Sequence, residues 1–339
     1  MPTKAIFEKK NVIITGGAGF IGSHLCDELI KKNRVICVDN FISGNVENIN
    51  HLLKNPDFKF IKHDMAEPLD LDKTPDLEAF KVPWQGIQEI YNLACPTSPK
   101  DYNKFPIETC LSNSHGTKNA LDWAVKYDSK FLHLSSSAIY GDPVEDQPLV
   151  EEYWGYIDPI GPRGCYNEGK RYAETLIVNY AQKFNLEAKI SRVFNTYGPR
   201  MKLTDGRMIP DFIRSAIANE DLQIYGDGKR VSSYCYIDDL IEGTIKFMDT
   251  EISGPLNFGS PKVYTILDIA HKIIEIAGSS SKINHKDPIP YLTKQGLPDI
   301  AKVREQIGWF PIISLEDGLQ RTVDYMKGSR SVGLESVKI

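Results

Sequence analysis

Short apolar runs alternate with amphipathic stretches through the first half of the chain. The runs lie at residues 12–15, 35–39, 58–62, 89–93, 130–135 and 188–193. Stretches with the spacing of amphipathic helices lie between them, for example at 107–127 and 166–184. Apolar strands that alternate with helices indicate a parallel sheet covered on both faces. We therefore predict an α/β fold with a doubly wound parallel sheet.

The pattern becomes more broken in the second half. Short apolar runs at 222–225, 234–236 and 256–258 mix with helical stretches at 210–218, 237–248 and 266–277. We predict a first domain over 1–190 and a smaller mixed α/β substrate lobe, mainly over 191–327, with segments that return to the first domain. The polar residues 328–339 are expected to form a loose tail.

A glycine-rich turn follows the first apolar run, with glycines at Gly16, Gly17, Gly19 and Gly22. A helical stretch over 23–31 comes next, so backbone N–H groups at the turn can approach a pyrophosphate. Asp39 stands at the tip of the second run, where a carboxylate accepts hydrogen bonds from an adenosine ribose and repels a 2′-phosphate. Together these features predict a Rossmann-type domain that binds NAD rather than NADP.

Composition excludes several other classes of protein. The 339 residues are 41% hydrophobic and carry a net charge of −5, which argues against a general nucleic-acid binder. We find no apolar run of about 20 residues and no apolar signal-peptide core, so we expect a cytoplasmic protein with no membrane span. The six cysteines and seven histidines are dispersed, which predicts reduced thiols and no metal site.

Three residues are candidates for proton transfer. The segment Tyr166-Asn-Glu-Gly-Lys170 places a phenol and an ammonium on one face of a helix. A nearby cation stabilises a phenolate, so we expect a lowered pKa for Tyr166, and Lys170 could also hold the nicotinamide ribose. Ser136 follows the run at 130–135, where a hydroxyl faces the ligand crevice of a parallel sheet. We predict that Ser136 hydrogen-bonds the reacting oxygen.

Taken together, these motifs resemble the extended short-chain dehydrogenase/reductase family. The likeness is carried by residues 15–22, Asp39-Asn40, Ser136, Tyr166, Lys170 and 192–199, and it extends from about residue 10 to about residue 327. The resemblance implies an enzyme that uses bound NAD on a nucleotide-diphosphate sugar. It also implies a homodimer formed through the helices at 107–127 and 166–184.

Within that family the chain resembles the UDP-glucuronate decarboxylases, also called UDP-xylose synthases, at 94–99, 153–156, 161–171, 198–201 and 205–207. Asp64 matches the residue that hydrogen-bonds adenine, Asn113 an Asn behind the active site, and Asn195 a ligand of the sugar-nucleotide phosphates. The implied NAD-binding residues are Gly16, Gly19, Phe20, Ile21, Gly22, Asp39, Asn40, Asp64, Met65, Leu93, Ala94, Asn113, Tyr166 and Lys170. The implied substrate-binding residues are Pro96, Ser98, Ser137, Asn195, Arg200, Arg207, Tyr225 and Arg230, and the loop at 205–207 is expected to line the nucleotide pocket.

The resemblance also implies a reaction. The Tyr166 phenolate removes the proton of a sugar hydroxyl, expected at C4, while the C4 hydride passes to NAD. The resulting ketone can be released, re-reduced on its other face, or used to eliminate water. A C6 carboxylate beta to that ketone can also leave as CO2. The base of the nucleotide and the identity of the sugar stay open.

The substrate side departs from the decarboxylase pattern at three positions. Ala138 replaces a Glu, Ser232 replaces an Arg, and a third Arg appears here as Gly296 or Leu297. Dehydratases of this family carry an Asp-Glu pair at Ser137 and Ala138, so dehydration is disfavoured. Each lost arginine removes a charge-assisted hydrogen bond of roughly 1.5–3 kcal/mol.

Two interpretations follow from these departures. Arg230 could supply the missing charge by a shift of its loop, or the enzyme could act on a sugar without a uronate carboxyl group. We favour the second interpretation, a 4-dehydrogenase or 4-epimerase on a non-uronate nucleotide sugar, with UDP-glucuronate decarboxylase as the alternative. A further alternative is a non-catalytic NAD-binding scaffold, against which the presence of Tyr166 and Lys170 argues.

Overall fold

The computed structural model describes residues 9–143, 147–203, 206–288 and 296–333, and side chains up to residue 328. In the first half, each strand follows a predicted apolar run to within one residue at either end. These strands are β1 (Asn11–Thr15), β2 (Arg34–Asp39), β3 (Phe58–Lys62), β4 (Glu89–Asn92), β5 (Lys130–Ser136) and β6 (Ala188–Val193).

The strands of the second half are mostly shorter. They are β7 (Thr196–Tyr197), β8 (Leu222–Tyr225), β9 (Val231–Ser232), β10 (Cys235–Tyr236), β11 (Gly254–Phe258), β12 (Tyr264–Thr265) and β13 (Ile283–Lys286). Strand β11 joins the first six in a parallel sheet with the order β11-β6-β5-β4-β1-β2-β3. The predicted doubly wound, Rossmann-type sheet is confirmed. The other strands form the pairs β7–β10, β9–β12 and β8–β13.

The helices cover both faces of the sheet and build much of the second half. They are α1 (Phe20–Leu29), α2 (Val82–Gln85), α3 (Pro99–Lys104), α4 (Pro106–Leu111), α5 (Thr117–Tyr127), α6 (Gly164–Phe184), α7 (Met208–Ile217), α8 (Ile237–Met248), α9 (Ile266–Ala277), α10 (Ala301–Ile307) and α11 (Leu315–Gly333). Across the described ranges, no helix combines the length and the apolar character needed to cross a bilayer.

Two predictions need correction. The helix expected over 107–127 has the predicted bounds to within one residue, but it contains a π-helical turn at Ser112–Gly116 between α4 and α5. The start of a loose tail at residue 328 is too early, because α11 continues to Gly333. Residues 334–339 lie outside the described part of the chain.

Packing on both faces of β1 explains why its sequence is continuously apolar. Val12 and Ile14 lie in one hydrophobic core with Leu25 of α1, whereas Ile13 lies in a second core with Leu121 of α5. Every residue of β1 is buried, as expected for a central parallel strand. The strand order reverses at β1, because β2 and β3 lie on one side of it and β4, β5 and β6 lie on the other. A crevice therefore opens beyond the carboxyl ends of β1 and β4.

Candidate active site

A cavity of about 2110 Å³ lies in this crevice and continues beneath segments of the second half. It brings together the glycine turn, the end of β5, the first turns of α6 and the strand β8. Nearly all of the residues predicted for cofactor, catalysis and substrate line its wall. The exceptions are Leu93, which packs against a hydrophobic core, and Asn113, whose amide donates to the carbonyl oxygen of Thr109 at 2.8 Å and to Cys95 at 3.0 Å.

The glycine turn leaves no room for side chains. Gly16 has φ of +70°, and a Cβ there would lie 2.9 Å from the backbone nitrogen of Ala94. A Cβ on Gly22 would lie 2.2 Å from the carbonyl oxygen of Gly16. Gly19 precedes α1, and no side chain caps that helix. A phosphate suits this place because helix N-termini present N–H groups and positive dipole ends.

Acidic and amide groups line the neighbouring end of the cavity. The Asp39 carboxylate accepts hydrogen bonds from the backbone N–H of Ala18 at 3.0 Å and of Phe41 at 2.8 Å. Burial raises the pKa of Asp39, and these two hydrogen bonds oppose that rise. The Asn40 amide donates to Asp64 at 3.0 Å. The glycine turn fits the pyrophosphate of a dinucleotide, and the carboxylates fit its adenosine.

The three candidate catalytic side chains meet in the middle of the cavity. Tyr166 and Lys170 belong to the first turns of α6, and Ser136 ends β5. The Lys170 Nζ donates a 2.8 Å hydrogen bond to the carbonyl oxygen of Leu134. Ser136 and Tyr166 both line the cavity, and the Tyr166 ring stacks on Tyr102 with centroids 5.4 Å apart and planes at 11°. One face of the phenol is therefore packed against a second ring.

The expectation of a lowered pKa for Tyr166 is wrong for the chain without ligands. Burial raises the pKa of Tyr166 to about 12, and the nearby Cys95 adds to the rise. The hydrogen bond with Ser136 and the charge of Arg207 oppose it but are smaller. Burial also lowers the pKa of Lys170. Loss of solvation therefore outweighs the favourable charges around the phenol.

The substrate side lacks the charged groups of the decarboxylase pattern. Ala138 lines the cavity with a methyl group. Ser232 is 2% exposed and accepts a 3.1 Å hydrogen bond from the Asn195 amide, so its hydroxyl is used within the protein. Gly296 lines the cavity without a side chain, and Arg230 is part of the wall. Asp205 of the loop at 205–207 lies outside the described residues.

Arg200 lies against helix α1 and lines the cavity. Its Nη2 donates a 2.6 Å hydrogen bond to Asp27 on α1, the helix that the turn begins. Its backbone has φ of +68°, a conformation that costs a non-glycine residue energy. Arg200 lines the same cavity as the glycine turn, and its predicted role in substrate binding stays a prediction. Arg207, by contrast, donates to Thr97 at 2.7 Å on the substrate side.

Sequence reasoning missed two features of the site. The stacking partner Tyr102 lies in α3, and no motif marks it. The buried pair of Glu174 and Arg192 lies beneath the cavity. Glu174 could have been found from the sequence, because it follows Lys170 by four residues and therefore lies on the same face of the helix.

Comparison with known proteins relates the chain to enzymes of nucleotide-sugar metabolism. A model of the NAD dependent epimerase/dehydratase family matches residues 12–259. UDP-glucuronic acid decarboxylase 1 of Arabidopsis thaliana is 42% identical over 317 residues, which make up 93% of this chain and 69% of that protein.

Solved structures share the fold over almost the whole chain. UDP-glucose 4-epimerase from Thermotoga maritima, solved with UDP-glucose, superimposes with a TM-score of 0.82 at 28% identity, covering 94% of this chain and 99% of that one. UDP-glucuronic acid 4-epimerase from Bacillus cereus, solved with UDP-glucuronic acid and NAD, gives 0.81 at 31% identity with the same coverage.

Proposed function

This chain belongs to the NAD-dependent epimerase/dehydratase family, and we propose that its reaction begins with oxidation of a nucleotide sugar at C4. The resemblance to extended short-chain dehydrogenases/reductases is confirmed, and so is NAD as the cofactor. Bound NAD supplies the hydride acceptor. The proposal is carried by one observation: the side chains of Ser136, Tyr166 and Lys170 line the same cavity.

In this proposal the phenolate oxygen of Tyr166 takes the proton of the C4 hydroxyl group. Ser136 donates a hydrogen bond to the oxygen at C4 and holds it beside the phenol. The ammonium of Lys170, fixed on the Leu134 carbonyl oxygen, has a charge that favours the phenolate and so opposes the rise in the pKa of Tyr166 that burial causes. Stacking on Tyr102 keeps the phenol buried and shields it from water. General acid–base catalysis of this kind contributes about 10²–10⁴-fold to a rate.

We assign the cofactor's pyrophosphate to the turn around Gly16, Gly19 and Gly22, and its adenosine ribose to Asp39. Arg200 is proposed to contact the pyrophosphate, because it lines the same cavity as the glycine turn and its buried Nη1 has no acceptor within the described residues. Asn195 and Arg207 are proposed to hold the phosphates of the substrate. Asn113 is proposed to support the site through its contact with Cys95.

We propose that the product is a 4-keto or 4-epimerised sugar, formed from a nucleotide sugar without a carboxyl group. Ala138 and Ser232 support this subclass, because the methyl group of Ala138 cannot accept a proton and Ser232 has no positive charge to pair with a carboxylate. The test is incubation with UDP-glucose, UDP-galactose and their N-acetyl derivatives, followed by chromatography and NADH absorbance. We expect conversion of at least one neutral sugar. Absence of any conversion, both of these sugars and of UDP-glucuronate, would support the NAD-binding scaffold instead.

UDP-glucuronate decarboxylation is the second candidate, and the 42% identity to a plant protein of that name favours it. In that case Arg230 has to provide the charge that Ser232 lacks. The test is incubation with UDP-glucuronate and measurement of CO2 and of a UDP-pentose. Fast release of CO2 would overturn the non-uronate assignment but would leave C4 oxidation in place.

We also propose that the chain forms a homodimer through α4, α5 and α6. Apolar side chains remain exposed on these adjacent helices, including Ile107 at 66%, Tyr172 at 52% and Val178 at 45%. Large apolar side chains that share one surface are typical of an interface between proteins. A dimer would bury them.

A further inference from the structure

A buried ion pair lies beneath the cavity described above. Arg192 Nη2 lies 2.7 Å from Glu174 Oε2, and Arg192 Nε donates to Oε1 at 3.1 Å. The two side chains are only 11% and 12% exposed. A guanidinium that bonds both oxygens of a carboxylate fixes the relative orientation of the two groups. Neither residue lines the cavity, so any effect on the reaction has to pass through neighbours.

On one side, the pair joins helix α6 to strand β5. Ser135 Oγ donates a 2.5 Å hydrogen bond to Glu174 Oε1. One helical turn earlier, Lys170 donates to the carbonyl oxygen of Leu134. Two bonds a turn apart therefore fasten α6 to the end of β5, immediately before Ser136. A single bond would allow the helix to pivot, whereas two bonds fix its direction.

On the other side, the pair joins strand β6 to the segments around the cavity. Arg192 Nη1 donates to the Tyr140 hydroxyl at 2.9 Å and to the carbonyl oxygen of Glu151 at 2.7 Å. The Tyr140 hydroxyl in turn donates to Asn257 Oδ1 on β11 at 2.7 Å. Arg192 precedes Asn195 by three residues on the same segment. Buried networks with satisfied partners hold a region in one arrangement.

We propose that the Glu174–Arg192 pair positions the catalytic side chains. It holds the ends of β5 and β6 and the first turns of α6 in the relative arrangement that the reaction needs. This inference rests on the proposed function of Ser136, Tyr166 and Lys170. A separate effect is electrostatic, because the charge of Glu174 raises the pKa of Lys170 and so opposes the effect of burial.

The test is Glu174→Gln, which preserves the shape of the side chain and an acceptor for Ser135 but removes the charge. We expect kcat to fall by roughly 10- to 10²-fold, because a displacement of about 1 Å costs about 10²-fold in rate. KM should change little, since neither partner touches the substrate. The alkaline limb of the kcat profile should move to lower pH, because Lys170 loses its proton more easily without the carboxylate.

Glu187→Gln provides a matched control next to strand β6, which carries Arg192. Glu187 precedes β6 and accepts a 2.8 Å hydrogen bond from Lys189, a side chain with no exposed surface. That pair lies at the amino end of β6, away from the cavity. The control variant should lose stability but keep the kcat of folded enzyme and its pH profile. Equal kcat and equal profiles in both variants would overturn the proposal.

Ser135→Ala is the second variant if Glu174→Gln folds poorly. It removes one bond between β5 and α6 but retains the ion pair, so kcat should fall less and the alkaline limb should stay in place. If the wild-type protein converts no nucleotide sugar, the proposed function fails, and amide hydrogen exchange tests the inference alone. Exchange in α6 should be faster in Glu174→Gln than in Glu187→Gln, and equal exchange would contradict the positioning role.

Discussion

The Lys170 ammonium and the Leu134 carbonyl oxygen are joined by a 2.8 Å hydrogen bond that crosses from α6 to β5. Lys170 is 2% exposed, so this bond replaces much of the water that a free ammonium would have. The cation is thus held at a fixed place, one helical turn from the phenol of Tyr166. A preorganised charge of this kind needs no reorganisation during the reaction.

Tyr166→Phe should remove turnover while cofactor binding persists. The phenyl ring can still stack on Tyr102, but the proton acceptor is lost, so we expect kcat to fall by about 10²–10⁴-fold. NADH absorbance measures turnover, and calorimetry measures the Kd of NAD. Tyr180→Phe on the same helix is the control, because the Tyr180 hydroxyl bonds Asp122 at the surface. A fully active Tyr166→Phe variant would show that another group moves the proton.

Protein stability should fall at alkaline pH because of Tyr166. Its pKa rises from the ordinary value of 10 to about 12 in the folded chain. Between these values the folded protein retains a proton that the unfolded chain has lost. Stability is therefore full below about pH 10 and decreases as the pH approaches 12. Urea unfolding at several pH values should show a smaller decrease for Tyr166→Phe than for wild type, and identical slopes would contradict this prediction.

Asp39→Ala should weaken NAD binding and reduce discrimination against NADP. A hydrogen bond to a charged group contributes roughly 1.5–3 kcal/mol, which corresponds to about tenfold or more in Kd. The variant also frees the N–H groups of Ala18 and Phe41, so part of the loss comes from the turn itself. Asp39→Asn keeps one acceptor without charge and separates the two effects. Titration with both cofactors provides the measurement, and an unchanged preference would exclude the proposed role.

The sequence predicts the main sheet well because its strands are buried on both faces. Such strands have continuous apolar sequences, and β1 to β6 end within one residue of the ends of the runs. The two-residue strands β7, β9 and β12 have no comparable signal, since their pairing depends on the fold around them. No residue pattern in the sequence predicts the π-helical turn at Ser112–Gly116 either. The division at residue 190 stays a prediction.

The sequence predicted which residues form the site better than it predicted their pKa values. Spacing alone brought Tyr166 and Lys170 onto one helix face, and the structure has them there. The same spacing gave the wrong direction for the pKa of Tyr166, because burial depends on residues far away in the chain. The contacts of Tyr102 and Arg192 were missed for the same reason, because the packing of α3 and β6 against α6 brings these residues to Tyr166 and Glu174.

Ile107→Asp should convert the proposed dimer to a monomer. Ile107 is 66% exposed at the start of α4, and a carboxylate there cannot be buried against a second apolar surface without a large cost. Light scattering after gel filtration measures the molecular mass. Ile312→Asp is the control, because Ile312 is 75% exposed between α10 and α11, next to α8. Retention of a dimer by Ile107→Asp would place the interface elsewhere.

Arg200→Ala should weaken NAD binding more than nucleotide binding. Arg200 is anchored on Asp27 of α1, and within the described residues no atom accepts a hydrogen bond from its buried Nη1. A phosphate oxygen beside the glycine turn would satisfy that nitrogen, and its loss should raise the Kd of NAD by about 10- to 10²-fold.

Calorimetric titration with NAD and, separately, with UDP distinguishes the two sides of the cavity. Arg207→Ala is the matched comparison, because Arg207 contacts Thr97 on the substrate side. That variant should weaken UDP binding and leave NAD binding nearly intact. If Arg200→Ala instead weakens UDP and leaves NAD unchanged, Arg200 belongs to the substrate site, as the sequence resemblance implied. A loss of both ligands with a lower melting temperature would show that the Asp27 contact is mainly structural.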